Sequence, residues 1–413
     1  MRILWLEVSV PASYRLDNRV VLGWQDSLES IVKKITDVQL FVGFEGSSSD
    51  VERKVVDGVT YIPFRTQLSK MEQIRKKWNW DYYAERVKES LIPVVESCQP
   101  DLIHVFGTEW PLALIAEIVN VPVVVHIQGA IIPYNNAMFP PGYVKGDLLR
   151  VIKNPKHFFW NMCFYKQLLS RERIERRIWK NVCYYMGRTL WDESLSFIMH
   201  KNRKYFHVEE AIRPVFLQTT SVPHRDFSKI KLVTTGCSSF WKGPDMLLKT
   251  AHILRLMDVD FEWTVVGNMS PWIKKCVERK AGVSFEKCNI KIKGFTPAEE
   301  LKRFLDSSSM YVHTAYIENS PNAICEAQCV GLPVIATNVG GVASLVSDGI
   351  DGVLVPANDP WQMAAAIVRT HMDFAMMKRF SENAQKKALQ RHAPEHIAAE
   401  LLCCYEKIIK ENQ

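Results

Sequence analysis

The 413 residues lack any uninterrupted apolar stretch approaching the roughly 20 residues needed to span a bilayer. The first residues, MRILWLEVS (Met1–Ser9), carry one basic residue and a very short apolar run broken by Glu7. A secretory signal needs a longer apolar core and a small-residue cleavage site. The stretch reads instead as a first β-strand, and a cytoplasmic location is expected. Zinc-type patterns are missing too. Ten cysteines are dispersed from Cys98 to Cys404 with no C-x-x-C pair and no Cys/His ligand spacing, so no metal site is expected. Cys325 and Cys329, four apart, read as small buried residues on one helix. The 20 prolines and 19 glycines form no low-complexity tract, and no solenoid-type repeat is present. No DNA- or RNA-binding motif accompanies the basic residues, which argues against a nucleic-acid partner.

What is present is an alternation. The composition, 47% hydrophobic and 23% charged, is that of a well-packed soluble protein, and the length suits two or three domains. Short β-branched runs are followed by stretches of helical period. Ile3–Val8, Val38–Phe44, Leu102–Phe106, Val121–Ile127 and Val182–Met186 read as strands of a first half. Lys231–Thr235, Phe261–Val266, Ile290–Lys293, Met310–His313 and Val334–Ala336 read as strands of a second. Ser27–Ile35, Pro111–Val119, Pro244–Leu256 and Pro297–Leu305 read as helices between them. This order predicts an α/β fold of two doubly wound parallel sheets. The polar stretch SVPHRDFS (Ser221–Ser228) marks the break, giving domains 1–225 and 226–394. Ligands of such sheets bind beyond the carboxyl ends of the strands, here on the loops after Ile127, Thr235, Val266, Lys293 and His313.

The most informative stretch is YIENSPNAI (Tyr316–Ile324), continuing to Gly341. Ser320 suits a helix N-cap and Pro321 a first helical position, with Gly331 as the stop. The amides of Asn322, Ala323 and Ile324 then offer an anion site reinforced by the helix dipole. Glu318 stands before that helix end, and Glu326, one turn past Asn322, shares its face. Carboxylates repel phosphate but accept hydroxyl hydrogens. The economical ligand carries phosphate in the middle and hydroxylated rings on either side, a nucleotide-sugar. An ordinary capped helix with two surface acids is the other reading. A second helix start, Lys242-Gly243-Pro244 after the strand Lys231–Thr235, points the same way. Lys242 reads either as a mobile charge for a phosphate or as a surface lysine at a turn.

These residues resemble the family 4 retaining glycosyltransferases. Glu318 and Glu326 match that family's Glu-x7-Glu motif. GLPVIATNVGG (Gly331–Gly341), DGIDGVLVPANDP (Asp348–Pro360), TTGCSSFWKGPDMLL (Thr234–Leu248) and GFTPAEELKRFLDSSSMYVHTA (Gly294–Ala315) are similar to its neighbouring motifs in the same order. The resemblance is specific over about Lys231–Pro360 and implies the GT-B architecture, two Rossmann-like domains facing an interdomain cleft. It implies a transferase that moves a hexose-type sugar from a UDP- or GDP-sugar with retention, without metal or cofactor. The acceptor would be a glycan or lipid-linked oligosaccharide, as in bacterial surface-polysaccharide assembly. Glu318 would contact the donor sugar. Lys242, Asn319, Ser320 and Asn322 would bind the diphosphate, Glu326 the ribose, and the backbone at Gly294–Phe295 the base. The family's phosphate-loop arginine falls on Cys237, which cannot pair with phosphate, and Arg188 in GRTLWD is the expected replacement. Ser344 stands where an acid usually follows the glycine pair.

In the first half, His126 ends the strand run VVVHIQG and matches the family's histidine on the sugar side. It reads otherwise as a satisfied core histidine. His104 and Glu109 are weaker candidates of the same kind. Gly23 opens the helix after the first strand, near the donor phosphate in the family or simply as a turn glycine. The final stretch 395–413 is assigned to the first domain on the resemblance. Between Lys145 and Asn181 lie ten Lys/Arg against three Asp/Glu, a net +7 equal to that of the whole chain, interleaved with aromatics. Such a segment fits peripheral contact with the inner face of an anionic membrane, or else a solvated helix with a buried stripe. Two other function classes share the scaffold, a sugar phosphorylase and a non-catalytic sugar-nucleotide-binding protein. The two glutamates argue against an epimerase.

Overall fold

A computed structural model describes residues 1–12, 23–46, 52–218 and 228–413. The chain divides into two compact units. Unit 1 comprises Met1–Asn135, Pro155–Ala211 and Pro394–Gln413, and unit 2 comprises Asn136–Asn154 and Ile212–Ala393.

Unit 1 is built on β1 (Arg2–Glu7), β2 (Gln39–Glu45), β3 (Lys54–Val56), β4 (Val59–Phe64), β5 (Leu102–Phe106), β6 (Val123–His126), β7 (Tyr184–Gly187) and β8 (Lys204–His207). They form one sheet in the order β3-β4-β2-β1-β5-β6-β7-β8, parallel except for the edge pair β3–β4. Both faces are covered. Leu4 and Leu6 pack into one apolar cluster, while Ile3 and Trp5 pack into another on the opposite face. That period of two, apolar on both sides, is what a buried parallel strand requires. The helix Pro394–Glu411 completes the second cluster with Ile397, Leu401, Tyr405 and Ile408. The Tyr405 hydroxyl accepts from Trp5 Nε1 at 2.9 Å and meets His104 Nδ1 at 2.7 Å.

Unit 2 carries β9 (Ile230–Thr235), β10 (Phe261–Val266), β11 (Ile290–Gly294), β12 (Met310–His313), β13 (Val334–Thr337) and β14 (Gly352–Val355). All pairs are parallel, in the order β11-β10-β9-β12-β13-β14. Counted from its first strand this is 3-2-1-4-5-6, the doubly wound arrangement whose switch point lies between β9 and β12.

Several expectations are corrected. The units part between Ala211 and Ile212, not at 225/226, because Ile212 and Phe216 are buried in the core of unit 2. The break read at Ser221–Ser228 lies, up to Phe227, outside the described residues. The segment Asn136–Asn154 also belongs to unit 2, where Tyr143, Leu148, Val151 and Ile152 are buried. Pro111–Glu117 is a 3-10 helix, and the first helix runs Trp24–Val32. Strands β3, β4, β8 and β14 were not anticipated. No helix among the described residues is long and apolar enough to cross a membrane.

Candidate functional site

The loops leaving β9 and β12 flank the switch point of unit 2, and they are locked together. After β9 a 3-10 turn, Phe240–Lys242, leads through Gly243 into the helix Pro244–Leu256. Gly243 has φ +71°, and a Cβ there would lie 1.8 Å from the Thr314 carbonyl oxygen. Only glycine fits both the left-handed backbone and the close approach. Thr314 Oγ1 donates to the Lys242 carbonyl at 3.0 Å, and the Tyr316 amide donates to the Trp241 carbonyl at 2.7 Å. Lys242 is thereby delivered to the residues that follow β12.

Lys242 Nζ donates to Glu318 Oε1, and His313 Nε2 stands 3.7 Å from the same oxygen. Burial pushes the Glu318 carboxyl up, but Lys242 and His313 outweigh it and hold it at about 2. Glu318 is therefore a fixed anion at any working pH, an acceptor of hydrogen bonds and not an acid catalyst. Its carbonyl accepts from the Gly341 amide at 3.0 Å, so the glycine pair Gly340-Gly341 holds the backbone of the acid.

A stability signature follows. The folded value of about 2 lies below the unfolded value of about 4.3, so the stabilisation from ionised Glu318 is present above about pH 4.3 and is lost as pH falls towards 2. The gap corresponds to about 3 kcal/mol. The stability difference between wild type and Glu318→Gln, measured by urea unfolding, should shrink between about pH 4.5 and about pH 2.5. A difference independent of pH across that window would refute the ion pair.

The helix after Glu318 runs Asn322–Cys329, one residue later than the sequence suggests. Pro321 occupies the cap position with φ −74° and ψ 107°, and its carbonyl accepts from the Ile324 amide at 2.9 Å. Ser320 does not cap, and the Ile324 amide is already engaged. The first-turn amides of Asn322 and Ala323 have no partner within the helix, as at any helix start. Asn319 and Ser320 are buried on the approach.

Glu326 lies further along this helix and is buried. Arg213 grips it with both prongs, Nε to Oε1 at 2.7 Å and Nη2 to Oε2 at 2.8 Å. Burial pushes the Glu326 carboxyl up, and Arg213 opposes without cancelling the rise. Each carboxylate oxygen retains a lone pair for a hydroxyl donor. Arg213 was not anticipated, because its partner stands 113 residues away and neither residue signals the other locally. Arg213→Ala leaves a buried carboxylate without its counter-charge and should cost about 3–5 kcal/mol in a urea melt. The double variant with Glu326→Gln should recover much of that loss, and additive losses would contradict the pairing.

The remaining expected residues of unit 2 separate. Gly294 closes β11 with φ +74°, its carbonyl accepting from the Gly267 amide at 2.7 Å, and Phe295 beside it is exposed. Cys237 is buried within the core cluster of unit 2, and burial, against Lys242, pushes its thiol up to about 12. It supplies no charge.

In unit 1 the structure gathers three expected residues around one that was missed, Trp24. The His126 ring meets Trp24 edge-on at 5.1 Å, and the Arg188 guanidinium lies over the same ring at 5.1 Å. Gly23 immediately precedes Trp24, but its amide donates to Asp26 Oδ2 at 2.8 Å and φ is −78°. Gly23 thus serves the helix start and offers no free N–H, a correction to its phosphate role. Arg188 is also not free, with Glu210 Oε2 at 3.4 Å from its Nε. His126 is fully buried, and neither ring nitrogen has a hydrogen-bond partner. Burial drives its imidazole well below the ordinary range, with further pushes from His104, Arg188 and His207, so it is neutral. His104 stacks beside it at 5.4 Å but is tied to Tyr405. The Glu109 carboxylate crowds Gly129, where a Cβ would come within 2.7 Å of Oε1. Burial raises its carboxyl.

Among the described residues, no cluster of three or more His, Cys, Asp or Glu is arranged to hold a metal ion.

Residues 229–373 match the model of the family described as glycosyl transferases group 1. Over 136 residues the chain is 30% identical to the amylovoran biosynthesis glycosyltransferase AmsK of Erwinia amylovora, covering 31% of this chain and 32% of that protein. Over 132 residues it is 33% identical to the D-inositol 3-phosphate glycosyltransferase of Paenarthrobacter aurescens, covering 30% and 31%. The matched stretch thus spans about a third of the length of these curated relatives. Among solved structures, sucrose-phosphate synthase from Thermosynechococcus elongatus superposes with a TM-score of 0.72 at 15% identity over 99% of each chain. Anabaena HepE, solved in complex with UDP and glucose, gives 0.66 at 16% identity over 98% of this chain and 100% of that one. At such identities the likeness speaks for the fold alone. The chain has the two Rossmann-like units of the GT-B class, and its segment 229–373, which holds Lys242, Glu318 and Glu326, is the part that matches the glycosyl transferases group 1 family.

Proposed function

We propose that this protein is a retaining glycosyltransferase that takes a hexose-type sugar from a UDP- or GDP-sugar and passes it to a glycan or lipid-linked acceptor. The observation that carries the reading is the pairing of Lys242 with a permanently ionised Glu318 beside the start of the helix Asn322–Cys329. In the absence of donor, Glu318 holds the ammonium group in place. A bound diphosphate would draw Lys242 onto its oxygens and leave Glu318 to accept the sugar's hydroxyls. Charge on the departing diphosphate is then met by Lys242 and by fixed amide dipoles, which need no reorganisation during transfer. Glu326, oriented by Arg213, is assigned to the ribose hydroxyls, and the turn at Gly294–Phe295 to the base.

Retention with a glutamate that cannot donate a proton suits a front-face attack, in which a donor phosphate oxygen takes the proton from the acceptor hydroxyl. No protein nucleophile is then required. Neutral His126, with one ring nitrogen to donate and one to accept, is assigned to a sugar hydroxyl.

The test is a panel of UDP- and GDP-sugars with a lipid or glycan extract as acceptor. The reading expects release of nucleoside diphosphate with one donor, undiminished in EDTA, and a product of unchanged anomeric configuration by NMR. Release that needs inorganic phosphate would favour a phosphorylase. No release with any donor would favour a binding protein.

A further inference from the structure

The basic segment read as one surface in the sequence is divided by the fold. Lys145–Leu149 forms a short helix in unit 2, where Asp147 meets Lys280 at 2.9 Å. The rest is the 27-residue helix Pro155–Asn181 of unit 1. In its second half much of the charge is internal. Arg171 lies over Trp80 and Trp110, Arg173 bonds Asp81 at 2.6 Å, and Arg177 bonds Glu85 and Glu117.

The first half is different. Pro155–Ser170 contains no Asp or Glu. Cys163, Leu168 and Ser170 are its buried residues, and Ile174 and Ile178 continue the side of Cys163 and Ser170 further along the helix. Opposite them, at helical spacing, run Phe158, Met162, Tyr165 and Leu169, and the stripe continues as Arg173, Arg176 and Lys180. Phe159 and Leu169 are 54% and 59% exposed, and Phe158 and Phe164 are exposed as well. A second helix, Lys70–Lys76, packs on the side of this one away from the stripe. The Gln167 amide donates to the Lys76 carbonyl at 2.9 Å, and Lys77 Nζ sits 3.9 Å over the Trp160 ring.

We infer that the outward stripe of the helix Pro155–Asn181 in unit 1 forms a docking surface for an anionic lipid bilayer. A water-facing helix has no use for a stripe of phenylalanine and leucine, and a protein-facing one need not exclude acids over 16 residues. The combination of exposed aromatics with Lys166, Arg176 and Lys180, and with no acid over Pro155–Ser170, is complementary to a negatively charged headgroup layer over an apolar interior. The aromatic and aliphatic side chains would enter the boundary between headgroups and acyl chains. Lys166, Arg176 and Lys180 would meet lipid phosphates. Each lysine near such a surface contributes about 1 kcal/mol, or about fivefold in partitioning. Vesicle binding needs neither donor nor acceptor, so its loss and a loss of turnover are separable.

The experiment is sedimentation of the full chain with sucrose-loaded vesicles of phosphatidylcholine alone or with about a third phosphatidylglycerol, at low and at about 0.5 M salt. Wild type should bind the anionic vesicles at least about twentyfold more tightly than the neutral ones, and less tightly in high salt. Phe159→Ser with Leu169→Ser should weaken that binding at least about tenfold. Lys166→Glu with Arg176→Glu should remove most of the preference for phosphatidylglycerol. All of these side chains lie on the surface, so circular dichroism melts of the variants should overlay the wild type. Wild type left in the supernatant with both vesicle types would overturn the inference, as would variants that pellet as wild type does. Absence of vesicle binding with a dimer that the same substitutions dissociate in sedimentation velocity would assign the surface to a second copy of the chain instead.

Discussion

Lys242→Ala should lower kcat for sugar transfer by about 10²–10³, the range lost when one preorganised group facing transition-state charge is removed. The effect should fall mainly on kcat, because the charge on the departing diphosphate grows as the sugar leaves. Two consequences of the geometry add to it. Without the lysine, buried Glu318 keeps only His313 as a neighbouring base, so its carboxyl should rise from about 2. Nor can Cys237, a neutral buried thiol, supply the missing cation. Lys242→Arg keeps the charge but replaces a compact ammonium on a flexible stem with a planar fork, and should recover only part of the rate. Steady-state kinetics with the preferred donor decide the point. Turnover of Lys242→Ala within about threefold of wild type would remove Lys242 from the chemistry.

Gly340→Ala should damage both stability and turnover. Gly340 has φ +51°, and a Cβ there would sit 1.8 Å from the Glu318 carbonyl oxygen. Backbone and neighbour must both move, and that neighbour is the residue assigned to the donor sugar. Strain of this kind with overpacking should cost about 2–5 kcal/mol. The displacement of Glu318 should lower kcat by about 10²-fold in the molecules that still fold. Gly349→Ala provides the comparison. Gly349 has φ +71° but nothing within 4 Å of an added Cβ. It should show only the left-handed penalty of about 1–2 kcal/mol, with turnover intact. Thermal melts and kcat for the pair separate the two contributions. Equal effects on kcat would mean that the glycine pair does not position Glu318.

The parts of this fold that follow a local rule were legible from the residues. The strand-helix alternation announced two doubly wound sheets, and Pro244 at the first helical position marked a helix start that the structure places at the same residue. The hairpin β3–β4 was equally available, since Asp57-Gly58 with φ of 49° and 81° is the turn that Asp-Gly favours between two strands. What could not be read depends on distant partners. Pro321, not Ser320, caps its helix because the Pro321 carbonyl accepts the first helical bond, a choice of phase that two adjacent capping residues leave open. Arg213 shows no sign in the sequence of its grip on Glu326. Trp24 gave no hint that it would carry both His126 and Arg188 on its ring. The net +7 of Lys145–Asn181 looked like one surface because charge counting cannot see Asp81, Glu85 and Glu117 arriving from elsewhere in unit 1.

The most direct measurement is a crystal structure of the chain with a nucleoside diphosphate, UDP or GDP, bound at saturating concentration. The account places the diphosphate at the start of the helix Asn322–Cys329, within hydrogen-bonding reach of the Asn322 and Ala323 amides, with Lys242 Nζ turned from Glu318 onto a phosphate oxygen and the ribose hydroxyls on Glu326. A diphosphate bound elsewhere, with Lys242 still on Glu318 and Glu326 untouched, would contradict it.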